Sequence, residues 1–261
     1  MSRVFRAAWM LGSILATAVS TTASAEQDAA NLRSCLDARI PQKSFSQDFS
    51  LTQTDAAGGQ RHMAGTWYWQ RSDGDQKGSL RLTAPADLAG TSYLFLHDDG
   101  QQNIYMYLPA TRKVRKVVGA TVAQSLFGSG LSAFDLNFLF TGLQGGQLTR
   151  IDSALVDGRP AEHWRYVPPT DPNILYDKLI LTVDKAWCLP LKVDLFGGVP
   201  WKTLVLDPAS VRQVNGRWTA SRATLTDLRQ GTTTQIQMSA ERTDVEIPVW
   251  RFSPDEFYRR K

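Results

Sequence analysis

Alternation of apolar and polar residues dominates the chain from Phe45 onward. Apolar side chains recur at every second position in short runs, for example over residues 66–69 and 104–108. Clusters of Gly, Pro, Asp and Ser separate these runs, as at residues 72–75 and 98–100. Because two residues is the repeat of a half-buried strand, the pattern predicts antiparallel strands joined by short turns.

The same alternation resumes at residue 147 and continues to residue 241. It predicts further strands over residues 147–156, 160–167, 175–184, 189–196, 201–207, 217–228 and 232–241. The short connections favour antiparallel neighbours over helical crossovers, and no long helices alternate with the strands. We therefore predict a mainly β (α+β) protein with about a dozen strands in one domain, which excludes a doubly wound α/β sheet.

The segment before the strands has helical periodicity instead. Leu32, Leu36 and Ile40 recur at every fourth position, and Pro41 follows them. Residues spaced in this way share one face of a helix, and proline cannot continue a helix. The spacing predicts a short helix over residues 26–40.

Residues 119–146 interrupt the β pattern a second time. Within them Ser132 can cap a helix, and Asp135 lies in its first turn, where a carboxylate suits the helix dipole. This helix, which we expect to end at Gly142, is apolar on nearly every side. It must therefore be buried against the sheet or act as a removable cover.

The first 25 residues have the three-part pattern of an export signal. Arg3 and Arg6 precede an apolar run over residues 7–19, and small residues suited to cleavage end at Ala25. The apolar run is shorter than the roughly 20 residues that span a bilayer. We predict a signal peptide over residues 1–25, cleaved after Ala25, and one exported domain over residues 26–261.

Composition and charge narrow the classes of partner. Hydrophobic residues make up 43% and charged residues 21% of the chain, which is typical of a globular domain. The formal net charge is +4, and removal of Arg3 and Arg6 leaves 27 basic against 25 acidic residues. This small surplus argues against a nucleic-acid partner, and we expect a monomer.

Two cysteines, Cys35 and Cys188, are present. In an exported chain a pair of cysteines most simply forms one disulfide. Two buried thiols are the alternative, because the sequence does not reveal the distance between them.

Residue patterns typical of catalysis are weak. His62, His97 and His163 lie far apart and have no metal-ligand spacing, so we predict neither a metal nor a cofactor. The sequence around Ser129 does not match a nucleophile elbow. We predict that the protein is not an enzyme, and a hydrolase whose site is scattered over several strands stays a minor alternative.

Paired aromatic residues are a stronger signal. Trp67 and Trp69 lie two residues apart on one strand, as do Tyr105 and Tyr107 on another. A sheet of about a dozen strands has more apolar face than two short helices can cover. Either the aromatic residues fill a closed barrel, or the sheet stays partly open and offers an apolar groove.

The most concentrated charge lies over residues 112–116, where four of five residues are basic. Arg112 and Arg115 could contact anionic lipid headgroups or an acidic partner. The alternative is a solvated sheet edge whose charges prevent pairing with other chains.

Two stretches give the chain a family resemblance. The first is Tyr107-Leu108-Pro109 with the basic run behind it, and the second is residues 125–136, which end in Phe134-Asp135-Leu136. They resemble the LolA-like outer-membrane lipoprotein-sorting proteins of the bacterial periplasm. Weaker matches extend over residues 45–241, and Gly130 stands where the family usually has Asp.

This resemblance implies a LolA/LolB-like fold, a single unclosed antiparallel β-barrel of about 11 strands with short helices covering its open side. It implies a carrier that binds acyl chains of lipoproteins or other lipids in an apolar cavity and moves them toward the outer membrane. An inner-membrane exporter and an outer-membrane acceptor are the expected partners. The alternative is a non-carrier subunit that docks on an exporter of the resistance-nodulation-division type.

The fold and the aromatic pattern together predict a set of ligand-contacting residues. We expect a sheet group and a cover group that line the cavity, and a basic pair that contacts headgroups or a partner. The sheet group is Trp67, Trp69, Tyr105 and Tyr107, the cover group is Phe134, Phe138 and Phe140, and the basic pair is Arg112 and Arg115.

Overall fold

The computed structural model describes residues 18–72, 74–98, 101–136, 142–143, 145–170 and 175–259. One long helix, α1 (Ala18–Asp37), precedes fifteen strands in these residues. The strands are β1 (Ser44–Thr54), β2 (Gln60–Ser72), β3 (Asp75–Ala84), β4 (Ser92–Asp98), β5 (Gln101–Leu108), β6 (Lys113–Lys116), β7 (Gln147–Val156), β8 (Arg159–Val167), β9 (Lys178–Asp184), β10 (Leu189–Gly197), β11 (Val199–Leu206), β12 (Val211–Val214), β13 (Arg217–Ala220), β14 (Arg222–Asp227) and β15 (Thr232–Thr243). Four short 3₁₀ helices lie at Gly119–Ala123, Leu126–Gly128, Pro208–Ser210 and Val249–Phe252, and residues 133–136 form one further helical turn.

Thirteen of these strands form one antiparallel sheet in the order β6-β5-β4-β3-β2-β1-β15-β14-β11-β10-β9-β8-β7. Strand β15 joins the two meanders, because it pairs with β1 on one side and β14 on the other. Within the described residues β6 and β7 remain the two sheet edges and do not pair with each other. The predicted unclosed antiparallel barrel is confirmed, with thirteen strands rather than about eleven.

Two boundaries in the strand prediction are wrong. The predicted strand over residues 217–228 is divided at Ser221 into β13 and β14, because β13 pairs with β12 in a separate ribbon. The predicted strand over residues 175–184 begins only at Lys178. The division at Ser221 arises where the chain leaves one pairing partner for another, which residue alternation within a strand does not signal.

Helix α1 is longer than predicted at its start and shorter at its end, since it runs over Ala18–Asp37 rather than residues 26–40. Leu32 is buried in the core, with Leu36 and Ile40 packed against it. The predicted disulfide is confirmed, because Cys35 of α1 is bonded to Cys188, and their Cα atoms are 6.0 Å apart. The helix is thereby fixed to the turn between β9 and β10.

The two faces of the sheet have different coverings. The inner face, which carries Trp67, Leu80 and Tyr93, supports the main apolar core together with α1 and residues 126–136. The outer face carries Leu94, which packs against the C-terminal segment through Phe257. No helix in the described part of the chain is long and apolar enough to cross a membrane.

Candidate functional site

A cavity lies between the inner face and residues 126–136, which we name the cover segment. Strands β1–β4 and β15 supply its floor, and the cover segment supplies its roof. The lining side chains are apolar except for one serine, and they are Phe49, Leu51, Met63, Trp67, Leu80, Leu82, Tyr93, Leu126, Phe127, Ser129, Leu131, Leu136, Ile236 and Met238. The cavity measures about 70 Å³. This is far below the roughly 300–1,000 Å³ of ordinary ligand pockets.

A tight turn gives the cover segment its shape. The Leu126 amide donates to the Leu131 carbonyl at 2.7 Å, which closes a loop over the sheet. Phe127 within that loop has a φ of 54°, a left-handed conformation that is unfavourable for a phenylalanine. This conformation coincides with an edge contact between the Phe127 ring and the Tyr93 ring, whose centroids are 6.2 Å apart. The unfavourable backbone conformation of Phe127 therefore occurs together with packing of its ring against Tyr93 in the cavity lining.

Polar contacts fasten the cover segment to the sheet and close its helix. The Thr234 hydroxyl of β15 donates to the Ser129 carbonyl at 2.6 Å. Ser132 caps the helical turn over residues 133–136, because its Oγ accepts from the Asp135 amide at 3.1 Å. The Asp135 carboxylate in turn accepts from the Ser132 amide at 2.8 Å, which completes a reciprocal cap. The predicted cap at Ser132 is confirmed.

Asp135 also joins the cover segment to a buried cation. Lys202 of β11 donates to its Oδ2 at 2.5 Å, and the Tyr176 hydroxyl donates to its Oδ1 at 2.6 Å. The Lys202 and Asp135 side chains are 8% and 6% exposed. Burial, followed by the nearby Asp135 charge, holds the pKa of Tyr176 well above its usual value, so this hydroxyl stays a donor.

A second, roomier cavity of about 820 Å³ lies on the same inner face, beneath α1. Its sheet wall includes Leu181, Val193 and Leu204, and Arg33 and Arg39 of the helical side lie at its rim. The Arg33 guanidinium donates to the carbonyl of Leu143 at 2.5 Å and to that of Gly146 at 3.0 Å. The inner face therefore combines a small apolar cavity under the cover segment with a larger amphipathic one.

Only part of the predicted aromatic set reaches the small cavity. Trp67 is buried and lines it. Trp69 lies on the same face but stacks on Phe45, with ring centroids 5.6 Å apart, outside the cavity. Phe134 packs edge-on against Tyr176 at 5.4 Å and also lies beside the cavity rather than in its lining. Phe138 and Phe140 lie outside the described residues.

Tyr105 and Tyr107 lie on the outer face of the sheet and are not part of the cavity lining. In the sheet register, Tyr105 lies opposite Leu94, so it faces outward. Tyr107 stacks on Tyr258 of the C-terminal segment, with ring centroids 4.1 Å apart. Met106, between the two tyrosines in sequence, lies opposite Tyr93 and faces the inner core. Both faces of β5 are apolar because both are covered, so alternation alone could not distinguish them.

The predicted basic pair lies at an edge of the sheet. Arg112 has a φ of 52° in the turn after β5, and Arg115 belongs to β6, whose four residues are all exposed. Neither arginine forms an ion pair within the ranges that the structure describes. The geometry agrees with the solvated-edge alternative and places neither guanidinium in the cavity lining.

Neither the Asp135–Lys202 pair nor Tyr176 could be recognised from residue patterns in the sequence. Lys202 and Asp135 are 67 residues apart, so no local spacing relates them. In the same described ranges, no group of three or more His, Cys, Asp or Glu residues could hold a metal ion. The strongest polar feature of the site is therefore this buried pair.

The chain has an unclosed antiparallel sheet whose apolar inner face is roofed by a short helical segment, and this architecture is that of the LolA-like fold. A family model with the description "Uncharacterized protein" matches residues 74–259. The chain belongs to the family that this model represents. A comparison with curated proteins finds no match.

Solved structures share this fold over most of the chain. A DUF1329 family protein from Desulfovibrio piger superimposes with a TM-score of 0.80 at 22% identity, covering 87% of this chain and 96% of its own. A domain described as an outer membrane lipoprotein-sorting protein, from Vibrio parahaemolyticus, gives 0.78 at 20% identity, covering 89% and 99%. A LolA superfamily protein from Nitrosomonas europaea gives 0.70 at 18% identity, covering 87% and 98%. The LolA-like fold is thereby established.

Proposed function

We propose that this protein is a periplasmic carrier that binds one acyl chain of a lipid or lipoprotein between its sheet and its cover segment. The observation that carries the proposal is the cavity under the cover segment. Its lining is almost entirely hydrophobic, about 70 Å³ is open, and Leu126, Phe127 and Leu131 of the cover segment form part of the lining. These side chains occupy the volume that an acyl chain would take after the cover moves.

The energetics suit reversible binding. Burying a 16-carbon chain contributes on the order of 10 kcal/mol at about 0.8 kcal/mol per methylene. Displacing the cover segment exposes its own apolar side chains and breaks the Thr234–Ser129 hydrogen bond, which opposes that gain. The gain from burying the chain and the cost of displacing the cover segment oppose each other. The net affinity is therefore moderate, which allows a carrier to release its cargo.

The proposed setting is the periplasm of a bacterium with an outer membrane. The Cys35–Cys188 disulfide fits an oxidising compartment, and the first 25 residues have the pattern of an export signal. Similarity in fold to a protein described as outer membrane lipoprotein-sorting supports the same setting. An inner-membrane exporter would supply the cargo and an outer-membrane acceptor would receive it, without any covalent chemistry at the carrier.

One surface observation favours a second function, that of a docking subunit. Leu155 of the edge strand β7 is 75% exposed, and Ile151 and Val205 are also exposed. Ile151 and Val205 line the same surface cavity, and adjoining exposed apolar side chains are typical of contact surfaces. A docking subunit would keep the cavity under the cover segment permanently filled by its own side chains.

A variant that fills the cavity separates these functions. Ile236 is half-buried, lies opposite Leu51 and lines the cavity, so Ile236→Trp adds bulk where the chain would lie. We expect binding of a fluorescent C16 fatty acid to the wild type and at least about tenfold weaker binding to Ile236→Trp, since overpacking resists a further guest. Leu155→Trp adds the same bulk at an exposed site and serves as the matched control.

Circular dichroism and the midpoint of thermal unfolding show whether each variant is folded. A wild type that binds no acyl probe would contradict the carrier proposal and favour the docking subunit. Equal binding by a folded Ile236→Trp variant and the wild type would place the chain elsewhere on the protein.

A further inference from the structure

The buried Lys202 ammonium joins two parts of the molecule that the carrier proposal requires to separate. Lys202 belongs to β11 and stays with the sheet, whereas its partner Asp135 belongs to the cover segment. Leu136, the residue after Asp135, lines the small cavity. Movement of the cover away from an incoming chain therefore also draws the carboxylate away from Lys202.

The charges around Lys202 show what this movement leaves behind. Asp227 of β14 lies opposite Lys202 in the sheet, and its Oδ1 accepts the amides of Arg229 and Gln230, each at 3.0 Å. The Arg229 guanidinium lies 4.5 Å from the centroid of the Trp201 ring. With Asp135 in place, the two cations and two carboxylates balance. Without Asp135 the cluster carries a net charge of +1.

Space for a polar group exists beside this cluster. A cavity of about 270 Å³ has Lys202, Tyr176, Asp227 and Arg229 in its lining. The Tyr176 hydroxyl, which now donates to Asp135, is released together with Lys202 and can donate to a new acceptor. An anion at this point would recover both interactions that the cover segment gives up.

We propose that the anionic headgroup of the cargo replaces Asp135 on Lys202 and Tyr176, so that the preferred cargo is an acyl lipid with an anionic group next to its chain. This inference rests on the carrier proposal and specifies its substrate class. An uncharged lipid that displaced the cover would leave the Lys202 ammonium in a largely apolar site without its ion-pair partner, which is strongly unfavourable. An anionic lipid keeps the ammonium paired while its chain takes the adjoining cavity.

Competition between two single-chain lipids of equal chain length tests the exchange. Palmitoyl lysophosphatidylglycerol is anionic and monopalmitoylglycerol carries no charge, and displacement of the uncharged dye N-phenyl-1-naphthylamine from the full folded protein measures the binding of each. We expect the wild type to bind the anionic lipid at least about tenfold more tightly, a lower bound on the effect of leaving a buried charge unpaired. Glycerol phosphate, which lacks the chain, is expected to displace no dye.

Variants of the pair give opposite results. Lys202→Met removes the cation and should abolish the preference, whereas Lys202→Arg should retain it. Asp135→Asn removes the competing carboxylate and should tighten binding of the anionic lipid while the preference remains. Lys192→Met is the matched control, because Lys192 is a half-exposed lysine of the neighbouring strand β10, paired with Asp194.

The outcomes separate this inference from the carrier proposal. Equal affinity of the wild type for the two lipids, or a preference that survives in Lys202→Met, would overturn the exchange while the carrier role stands. Displacement of dye by glycerol phosphate alone would show that the cluster binds a free phosphate and would also overturn it.

If Lys202→Met does not fold, the Asp135→Asn result decides, since unchanged affinity there contradicts the exchange. A wild type that binds neither the dye nor either lipid contradicts the carrier role itself, and the exchange falls with it.

Discussion

At the scale of single residues, Asp184 fastens the turn that carries Cys188. Its fully buried carboxylate accepts the amides of Ala186 and Trp187 at 2.9 and 2.7 Å, and the Arg159 Nε donates to it at 2.6 Å. Burial alone would raise the pKa of Asp184, but these donors outweigh burial and hold it below its usual value. The ionised carboxylate therefore stabilises the folded state at neutral pH.

Replacing Asp184 with Asn should lower the free energy of unfolding by about 2 kcal/mol at pH 7, the scale of hydrogen bonds to a charged group. Because the folded pKa lies below the unfolded value near 3.9, the contribution is complete above pH 4 and is lost as the pH falls through the folded pKa. Urea unfolding of both proteins at pH 7 and pH 3 measures this. The gap between wild type and variant should narrow at pH 3.

The control is Asp207→Asn, because Asp207 accepts from Ala209 and Arg222 in a similar way on the exposed surface. Its loss of stability should be smaller than that of Asp184→Asn. A gap for Asp184→Asn that stays constant from pH 7 to pH 3 would contradict the assigned role of the ionised carboxylate.

Features that depend on neighbouring residues could be predicted from the sequence, whereas contacts between distant residues could not. Ser132 could be identified as a cap because the Ser-x-x-Asp pattern is local, and the structure has the reciprocal hydrogen bonds. Lys202 could not be assigned to Asp135, since their contact depends on how the cover segment folds over β11. Contacts between distant residues of this kind carry no spacing signal.

At the scale of elements, the C-terminal segment decides which side of β5 faces the inner core. Ile247, Phe252 and Phe257 form a second apolar cluster with Leu94 on the outer face. The Arg81 guanidinium donates to the Tyr258 carbonyl at 2.5 Å and helps to hold the segment in place. Period-two alternation predicts that β5 exists, but not its orientation, when both of its faces are covered.

A pair of substitutions distinguishes the two faces. Phe257 is 1% exposed on the outer face, so Phe257→Ala should lower the free energy of unfolding by about 3–5 kcal/mol. Its affinity for an acyl probe should stay within about twofold of the wild type, because the segment does not touch the cavity. Trp67→Ala should lower the free energy of unfolding by a similar amount. It should also weaken probe binding, because Trp67 lines the cavity. Denaturant unfolding and probe titration measure both quantities.

The prediction fails if Phe257→Ala alters probe binding as much as Trp67→Ala does at a temperature where both variants are folded. That result would mean that the outer cluster takes part in the site.

At the scale of the whole molecule, the unclosed sheet depends on tethers between distant parts of the chain. Strand β15 joins the two meanders, and the disulfide between Cys35 and Cys188 spans 153 residues of sequence. Short connections in the sequence predicted antiparallel meanders correctly. The number of strands and the separate β12–β13 ribbon were not predicted from the sequence. Both depend on which strands pair with β11 and β15, and local patterns do not specify pairing.

Removing the tether tests its contribution. The double variant Cys35→Ser/Cys188→Ser should lose up to about 5 kcal/mol of stability, since a cross-link over so long a loop strongly restricts the unfolded chain. Helix α1, which forms part of the wall of the larger cavity, loses its covalent link to the sheet in this variant. Its amides should therefore exchange hydrogen faster than in the wild type. Hydrogen exchange measured by mass spectrometry follows residues 26–37 against strand β2 as an internal reference. Unchanged exchange in α1 would contradict a role for the disulfide in holding the helix on the sheet.

The position of a bound acyl chain shows whether it lies between the inner face and the cover segment. A crystal structure with a fatty acid brominated in mid-chain would reveal the bromine atoms by anomalous scattering. We expect bromine among Trp67, Leu80 and Met63, with the cover segment displaced from Tyr93. Bromine bound only on the outer face, beside Ile151 or Val205, with the cover segment still in place, would contradict this expectation.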